Sequence, residues 1–487
     1  MEEGYIMPNT DLTLLTDFYQ LTMMQGYLEN EKEDQLVVFD LFFRNNPNDG
    51  SFSIAAGLHQ AIDYLNNLSF SIEDIQYLQS LEIFNERFLD YLKNFKFTGD
   101  VYSVVEGTII FPNEPFLKVI APIVQAQLIE TALLNIINHQ SLIATKASRV
   151  KWAAGDDAVL EFGLRRAQGP DAGILGARAA VIGGCSATSN VLAGKLFDIP
   201  VKGTHAHSWV MSFDSEIAAF RAYAKQYPTA CLLLVDTYDT LKSGVPNAIK
   251  IFQEMRDQGI YLNSYGIRLD SGDISYLSKK ARLMLDKAGF EDAIISASSD
   301  LDEYLIRDLK LQGSKINLWG VGTHLITSKD CPAFGGVYKL AAIYENGSFI
   351  SKIKISENPD KVTNPGNKKI LRIYDMKSGK IIADLIALEH EKFFESNSLI
   401  LFDPKNPWKK KRLEAGTYII KELLIPIFKE GKCVYSSPST FEIKKHCEEE
   451  LLTLWDESRR LVNAQTVYVD LSKELYDLKQ QMLLLYY

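Results

Sequence analysis

At 487 residues the chain is too long for one ordinary hydrophobic core, and its length predicts roughly two or three domains. Apolar residues make up 46% of the chain and charged residues 23%, which excludes a disordered or fibrous protein. The formal net charge of -10 argues against a nucleic-acid partner, because proteins that bind phosphate backbones present a basic surface.

The five cysteines are scattered and form no Cys-x-x-Cys pair, as is typical of a reducing compartment. No signal-peptide pattern opens the sequence, and no run of about 18 apolar residues could span a membrane. We therefore expect a cytoplasmic protein without a membrane partner. The basic run at residues 409–412 is interpreted as a solvated surface turn rather than a binding patch.

Residues 1–121 mix helical and strand patterns without a repeated strand-helix unit. Apolar periodicity predicts helices at 11–27 and 57–65, and strands at 36–43 and 101–111. This combination predicts an N-terminal α+β domain with an antiparallel sheet.

Residues 122–345 show a different rhythm, which begins with a long amphipathic helix at 122–153 that has Pro122 near its start. Short apolar strands then alternate with polar or Gly-rich turns and helices, and such alternation indicates parallel pairing. The predicted strands are 158–162, 180–182, 200–202, 231–235, 265–267, 293–297 and 317–320, and the helices between them include 189–196, 246–258 and 273–288.

The residues that follow these strands distinguish a barrel from an open doubly wound sheet. Nearly every strand is followed by polar or Gly-rich residues. An open sheet carries function at its switch point, whereas a barrel collects all carboxyl ends of its strands around one mouth. We therefore favour an α/β barrel. Residues 346–487 lose the rhythm and form a C-terminal extension, with short strands and charged turns at 352–372 and amphipathic helices at 439–487.

Gly320, Val321, Gly322 and Thr323 follow the last predicted strand. Glycines there allow backbone N–H groups to approach a phosphate, and Thr323 adds a hydroxyl donor. A simple tight turn is the alternative interpretation. The chain contains neither a P-loop motif nor a full G-x-G-x-x-G, so those nucleotide-binding classes lose their main support.

A second cluster, Arg268, Asp270, Ser271, Gly272 and Asp273, follows the strand at 265–267. Carboxylates in such a turn can accept hydrogen bonds from ribose hydroxyls or hold Mg²⁺ through water. The alternative is a helix cap. We expect Asp273 to cap the next helix and Asp270 to take part in chemistry.

Phe162, Arg165 and Arg166 place an aromatic ring and two guanidinium groups at one strand end, where they could stack on a ring and pair with an anion. Surface charge is the alternative.

His205 and His207 lie two residues apart and could form a metal pair, but no third ligand accompanies them. An imidazole can instead act as nucleophile or base.

Taken together and in this order, nine segments resemble the nicotinate phosphoribosyltransferase family. Any one of them is a modest signal, but nine in register over residues 10–345 are strong. The matching segments are Thr-Asp-Phe-Tyr-Gln (16–20), Phe-Asp-Leu-Phe-Phe-Arg (39–44), Phe-Gly-Leu-Arg-Arg-Ala-Gln-Gly-Pro-Asp (162–171), Thr-Ser-Asn-Val-Leu-Ala-Gly (188–194), Gly-Thr-His-Ala-His-Ser (203–208), Leu-Val-Asp-Thr-Tyr-Asp (234–239), Ile-Arg-Leu-Asp-Ser-Gly-Asp (267–273), Gly-Val-Gly-Thr (320–323) and Gly-Gly-Val-Tyr-Lys-Leu (335–340).

The resemblance implies a type II phosphoribosyltransferase with an irregular, incomplete α/β barrel beside an N-terminal α+β sandwich domain. It implies a homodimer in which Asp17 and Tyr19 enter the site of the neighbouring subunit, and a site in which Phe162 stacks on the pyridine ring. It further implies that Arg165 and Arg268 bind anionic groups and that Asp270 binds the ribose hydroxyls. Gly320 to Thr323 would bind the 5′-phosphate, and the remaining substrate-binding positions are Arg166, Thr188, Ser189, Ser271 and Gly272.

The implied reaction joins nicotinate to phosphoribosyl pyrophosphate, with ATP and Mg²⁺ as cofactors. His207 matches the family histidine that ATP phosphorylates, and His205 has no matching role. The nearest alternatives are a phosphoribosyltransferase that uses nicotinamide or quinolinate, and a catalytically silent ligand-binding homologue. The nicotinamide enzymes carry an acidic residue near Ser189, and its absence here favours nicotinate.

Overall fold

The structure, a computed structural model, describes residues 11–406 and 408–485. Compactness groups them into two units, of which the first holds the described residues up to Leu142 and from Ala333 onwards. The second unit is Ile143–Pro332. The predicted segments 1–121, 122–345 and 346–487 do not coincide with these units, because the chain returns to the first unit at Ala333.

Two stretches of chain build the first unit. Up to residue 154 the elements are α1 (Phe18–Glu29), β1 (Leu36–Phe43), β2 (Ser53–Ile54), α2 (Leu58–Asn67), α3 (Ile72–Ser80), α4 (Glu86–Lys93), β3 (Asp100–Ser103), β4 (Ile109–Ile110), β5 (Leu117–Pro122), α5 (Ile123–Leu128) and α6 (Glu130–Ala154), the last of which continues into the second unit. From residue 336 they are β12 (Gly336–Glu345), β13 (Ser348–Ser351), β14 (Lys368–Asp375), β15 (Ile381–Leu388), β16 (Leu399–Phe402), β17 (Lys410–Leu413), β18 (Tyr418–Glu422), β19 (Ile425–Lys429), β20 (Lys432–Cys433), α15 (Thr440–Thr453), β21 (Tyr468–Leu471) and α16 (Lys473–Leu484).

A seven-stranded sheet in the order β13-β12-β1-β5-β3-β19-β20 forms the centre of this unit. The apolar strand β1 has the predicted bounds and pairs antiparallel with both β5 and β12. Its residues Val37, Phe39 and Leu41 are buried in a core shared with α1 to α5. The predicted N-terminal α+β architecture with an antiparallel sheet is confirmed.

Helix α1 begins at Phe18 rather than at Asp11 as predicted. The Asp11 carboxylate accepts a hydrogen bond from the Thr13 backbone N–H at 2.8 Å, and the Thr13 hydroxyl donates to the Ser69 carbonyl. Such local bonds of Asp and Thr compete with the helical backbone pattern. Asp17 consequently takes the N-cap position of α1.

A six-stranded sheet in the order β17-β16-β21-β15-β14-β18 occupies the C-terminal part of the same unit. The helical prediction for 439–487 is wrong at β21, where Tyr468 and the β-branched Val469 favour a strand that pairs parallel with β15. Residues 486 and 487 lie outside the described residues. The basic run is also not a turn, since Lys410–Leu413 forms edge strand β17, although Lys410 and Arg412 are exposed as expected.

The second unit alternates strands with helices. Its elements are β6 (Ala158–Glu161), α7 (Pro170–Ile182), β7 (Ala187–Thr188), α8 (Val191–Phe197), α9 (His207–Met211), α10 (Glu216–Gln226), β8 (Ala230–Leu234), a π-helical turn (Thr240–Gly244), α11 (Val245–Asp257), β9 (Ser264–Leu269), α12 (Ile274–Lys287), β10 (Ile294–Ser298), α13 (Glu303–Leu311), β11 (Leu318–Val321) and α14 (Thr323–Ile326).

All strand pairs of this unit are parallel, in the order β7-β6-β11-β10-β9-β8. A single parallel bridge joins Thr188 of β7 to Val201. Within the described residues no ladder joins Val201 to β8, so the curled sheet stays open at that point. This confirms the predicted incomplete α/β barrel, and it brings the carboxyl ends of all six strands to one edge.

Two of the predicted strands are wrong. Residues 180–182 are the last turn of α7, in which Pro170 occupies the first turn and alanines provide high helix propensity. The predicted strand at 200–202 is reduced to the single bridge at Val201. Among the described residues, no helix combines the length and apolar character that crossing a membrane requires.

Candidate functional site

The loops that follow the strands of the second unit place most of the predicted site residues at one edge of the sheet. Neighbouring strands β6 and β7 end at Glu161 and Thr188. Glu161 is fully buried, and its carboxylate accepts hydrogen bonds from the Gly163 backbone N–H and from the Thr188 hydroxyl at 2.6 Å. Burial raises the pKa of Glu161, whereas these two hydrogen bonds lower it. The carboxylate therefore fixes the turn that carries Phe162 and Arg165.

Phe162 begins this turn and is half-buried, while Arg165 and Arg166 are exposed in a short 3-10 turn. The Phe162 backbone N–H donates to the Val321 carbonyl at 2.8 Å. Ser189 is half-buried, and its backbone N–H donates to the Glu161 carbonyl. An exposed cationic pair thus lies beside an aromatic ring, as the sequence predicts.

The segment from Gly320 to Thr323 leaves β11 and enters the short helix α14. A Cβ atom on Gly320 would lie 2.6 Å from the Phe162 ring, and one on Gly163 would lie 2.5 Å from Ile326. Close approach of these segments therefore requires glycine. Phe162 and the predicted phosphate loop form one packed element.

Asp270 follows β9, and Asp236 follows the adjacent strand β8. The Asp270 backbone N–H and the Ser271 hydroxyl both donate to Oδ2 of Asp236, at 2.9 and 2.7 Å. The Ser298 hydroxyl, at the end of β10, donates to Oδ1 of Asp270. Gly272 has a φ of +81°, which favours glycine, so three strand ends converge on a tight turn around two carboxylates.

Asp273 accepts a hydrogen bond from the Tyr276 backbone N–H at 2.9 Å and caps α12. The prediction that Asp273 caps this helix is therefore confirmed. The role of Asp270 in chemistry stays a prediction.

Arg268 is largely buried at the end of β9, and its guanidinium donates to the Thr204 hydroxyl. Its Nε atom is buried and has no hydrogen-bond partner within the described residues. Oδ1 of Asp236 is likewise buried and has no hydrogen-bond partner within the described residues. Burial lowers the pKa of Arg268, the charges of Asp270 and Asp236 raise it, and that of Arg165 lowers it. Within the described residues this edge therefore holds one buried donor and one buried acceptor that are unsatisfied.

His207 is the first residue of α9 and lies near both carboxylate-bearing loops. Its Nδ1 atom is 3.1 Å from the Thr237 hydroxyl, and its Nε2 atom is 3.8 Å from Oδ2 of Asp270. His205, in contrast, is buried, and its Nε2 atom accepts a hydrogen bond from the Leu234 backbone N–H. The two histidines therefore contact different groups and do not form a pair.

Asp17 and Tyr19 belong to the first unit. Oδ2 of Asp17 accepts a hydrogen bond from the Thr131 hydroxyl at 2.8 Å, and Tyr19 is 48% exposed beside the exposed Phe18. Burial raises the pKa of Tyr19, and the charges of Glu130 and Asp17 raise it further. An exposed aromatic pair at the start of α1 is a surface that a second chain could cover.

Asp302, His324 and Asp330 are a group within the described residues whose ligand atoms lie close enough to share a metal ion. Lys146 pairs with Asp330 at 2.9 Å, and Asp302 caps α13 by accepting from the Leu305 backbone N–H. Because the Lys146 ammonium already neutralises Asp330 and would repel a second cation, the group fits a metal ion poorly. Asp236 and Asp270 offer oxygen atoms, which Mg²⁺ prefers, and Oδ1 of Asp236 has no hydrogen-bond partner among the residues that the structure describes.

The sequence interpretation did not single out several side chains at this edge. Asp236 and Thr237 lie inside the quoted segment 234–239, and the polar residues after each strand were the signal that could have identified them. Glu161 was not identified from the sequence because it is the last residue of an otherwise apolar strand. Ser298 and Thr204 act through hydrogen bonds that the sequence does not reveal.

Comparison with known proteins agrees with this fold. Three family models match: the nicotinate phosphoribosyltransferase N-terminal domain over residues 14–138, the nicotinate phosphoribosyltransferase family over 158–364, and the nicotinate phosphoribosyltransferase C-terminal domain over 367–479. The nicotinate phosphoribosyltransferase of Bacillus subtilis is 48% identical, with 98% of this chain and 96% of that protein covered. That of Caenorhabditis elegans is 38% identical, with 95% and 92% covered.

Among solved structures, human nicotinic acid phosphoribosyltransferase matches with a TM-score of 0.82 and 29% identity, over 96% of this chain and 100% of that one. A parallel, incomplete barrel with a glycine-containing loop and carboxylate-bearing loops at one edge is the architecture of a type II phosphoribosyltransferase. The chain belongs to the nicotinate phosphoribosyltransferase family.

Proposed function

We propose that this chain transfers the phosphoribosyl group of phosphoribosyl pyrophosphate to nicotinate, producing nicotinate mononucleotide and pyrophosphate for NAD salvage. The observation that carries the proposal is the convergence of Arg268, Asp236 and Asp270 at one sheet edge, where a buried donor and a buried acceptor have no partner among the described residues. Family membership supplies the substrates, because the relatives are named for this activity.

In this reaction the pyridine nitrogen bonds to the anomeric carbon, and the bond from that carbon to the pyrophosphate oxygen breaks. Charge leaves with pyrophosphate, so catalysis depends on positioning and on electrostatic stabilisation. Arg268 and Arg165 bind the anionic groups, namely the nicotinate carboxylate or the departing pyrophosphate, and Asp270 accepts from the ribose hydroxyls. Phe162 stacks on the pyridine ring, with Arg166, Thr188 and Ser189 at the pocket edge.

Gly320, Val321, Gly322 and Thr323 bind the 5′-phosphate in this proposal, in which glycine residues let backbone N–H groups approach the phosphate. The Phe162 ring leaves no room for a side chain at Gly320. Ser271 and Gly272 hold the turn that presents Asp270. Asp236 and Asp270 would hold Mg²⁺, because they provide adjacent oxygens. When bound, the ion neutralises charge on the pyrophosphate.

ATP is the second phosphoryl compound of the proposal, and His207 is its acceptor. A hydrogen on Nδ1 of His207 can bond to the Thr237 hydroxyl, which leaves the lone pair of Nε2 free. The Nε2 atom attacks the terminal phosphorus, a nitrogen–phosphorus bond forms, and the oxygen–phosphorus bond to ADP breaks. Hydrolysis of this phosphohistidine drives an otherwise unfavourable transfer.

Incubation with ATP labelled in its terminal phosphate tests this step. Acid-labile label on the wild-type protein and on His205→Gln, but not on His207→Ala, is expected. Label that persists in His207→Ala would assign the acceptor elsewhere.

The exposed Asp17 and Tyr19 support a homodimer in which these residues from a second copy of the chain complete the site. A cytoplasmic location is part of the same proposal, and the five scattered cysteines, which form no Cys-x-x-Cys pair, agree with a reducing compartment.

Pyrophosphate release in the presence of nicotinate, nicotinamide or quinolinate tests the transfer itself. The proposal predicts release with nicotinate at a rate at least about a hundredfold above that with nicotinamide, because a site that pairs with a carboxylate rejects the uncharged amide. Preference for nicotinamide or quinolinate would identify the alternative transferase. No release with any pyridine would identify a silent homologue.

A further inference from the structure

The open side of the barrel leaves strand β8 as a sheet edge. In the described part of the chain β8 pairs with β9 on one side only, and the Val235 backbone N–H donates to the Arg268 carbonyl on that side. Successive backbone N–H groups of a strand point in opposite directions, so the N–H of Leu234 points into the gap between β8 and Val201. Leu234 is fully buried, and an unpaired N–H there would be unfavourable.

His205 provides the acceptor for this N–H group. Its Nε2 atom lies 3.2 Å from the Leu234 nitrogen, and its Nδ1 atom lies 3.4 Å from the Ala206 carbonyl oxygen. These two contacts require hydrogen on Nδ1 and a lone pair on Nε2, which defines a neutral ring. The ring is 7% exposed and packs edge-on against Tyr223, with centroids 4.7 Å apart.

We propose that His205 closes the open edge of the barrel through this hydrogen bond and thereby positions His207. Within the turn at residues 204–207, three side chains contact the carboxyl-terminal ends of β8 and β9 or the residues that follow them. Thr204 accepts from Arg268, His205 accepts from Leu234, and His207 contacts Thr237. Of these three side chains only His205 is buried. Its hydrogen bond takes the place of the backbone bond that a neighbouring strand would otherwise make to β8.

The inference rests on the proposed function in one respect, namely that His207 is the phosphoryl acceptor. His205 touches neither substrate nor reacting atoms in this account and is a positioning residue. Its loss should shift the turn relative to β8 and move Nε2 of His207 out of line with the phosphorus.

Two variants separate the hydrogen bond from the packing. His205→Gln keeps an acceptor, because its amide oxygen reaches about as far from Cβ as the imidazole Nε2. His205→Leu fills a similar volume without an acceptor, and His205→Met replaces it where the Leu variant does not fold. Circular dichroism establishes folding before the measurements.

The first measurement is amide hydrogen exchange of Leu234, followed by mass spectrometry of peptides that cover β8. Protection is expected in the wild type and in His205→Gln, and its loss is expected in His205→Leu. The second is the initial rate of acid-labile labelling from ATP and Mg²⁺. A fall of roughly 10- to 100-fold is expected in His205→Leu, as for small misplacements of reacting groups, with substantial rescue in His205→Gln.

Equal protection of Leu234 in the Leu and Gln variants would overturn the closure. If His205→Leu loses the protection of the Leu234 amide but still takes up label from ATP at the wild-type rate, His205 does not position His207. If the wild-type protein takes up no label, the proposed ATP step has failed, and exchange at Leu234 still decides whether His205 closes the barrel.

Discussion

The carboxylate of Asp236 holds the backbone of Asp270 in place, because the Asp270 N–H donates to its Oδ2 atom at 2.9 Å across two adjacent parallel strands. The second oxygen of Asp236 is buried and has no partner within the described residues. One side chain therefore both shapes the turn and offers a site for a ligand.

Asp236→Asn should lower kcat/KM for phosphoribosyl pyrophosphate by roughly 100-fold, or about 2.7 kcal/mol, because the variant lacks the charge that a bound cation or hydroxyl would meet. Steady-state kinetics measure this. Asp273→Asn is the matched control, since Asp273 caps a helix and Asn caps equally well. Equal kinetics for the two variants would contradict the role of Asp236.

Arg165→Ala should cost about 2 kcal/mol or more in kcat/KM for nicotinate, because its guanidinium pairs with an anion that the bound site shields from water. Arg221→Ala, which breaks an exposed pair with Glu254 in the same unit, is the control and should stay within about 1 kcal/mol of the wild type. Unchanged catalytic efficiency in Arg165→Ala would remove this residue from the site.

Mixed subunits test the dimer. Tyr19→Ala chains and Asp270→Ala chains should each be inactive, and their mixture should recover up to about a quarter of wild-type activity, since one site of each hybrid dimer holds both native residues. Each variant mixed with wild-type protein reports whether subunits exchange. Exchange without recovered activity would show that Tyr19 and Asp270 serve the same chain.

Acid should destabilise the wild-type protein more than His205→Gln. Burial is the main cause that lowers the pKa of His205 from 6.5 to about 4, with smaller contributions from the charges of Arg268 and His207. The unfolded chain therefore binds the proton more tightly, and stability falls as the pH drops from about 6.5 towards 4, by on the order of 3 kcal/mol at most.

Denaturant midpoints at pH 7.5 and pH 5 measure this effect. The drop between the two pH values should be smaller in His205→Gln, because glutamine does not titrate. Identical drops in both proteins would show that His205 is not buried as a neutral ring.

Periodicity and turn chemistry predicted the architecture well where a strand is continuously apolar. β1 appears with the predicted bounds, and β8, β9 and β10 are displaced by at most a few residues. The strand predicted at 180–182 failed because an apolar run of small residues is equally suited to the last turn of a buried helix. The strand β21 was missed between two helices because its four residues obtain their pairing from the distant strand β15.

The candidate site was predictable where residues follow strands in sequence, and less so where partners come from different strands. Asp270 and Gly322 follow strands directly, and Gly320 lies near the end of β11. The bond between Asp236 and Asp270 joins residues 34 apart in the chain, and the bond from His205 to Leu234 depends on where the barrel stays open. Such relationships depend on the pairing register of the strands and on where the barrel stays open, and local sequence patterns do not encode either.

The most direct measurement of the central claim is product formation from isotopically labelled nicotinate by the purified protein with phosphoribosyl pyrophosphate, Mg²⁺ and ATP. Nicotinate mononucleotide and pyrophosphate should appear in equal amounts, and Asp270→Ala should reduce both by roughly 100-fold or more, since that carboxylate positions the ribose. Absence of the mononucleotide with the wild-type protein, or undiminished formation by Asp270→Ala, would contradict the account.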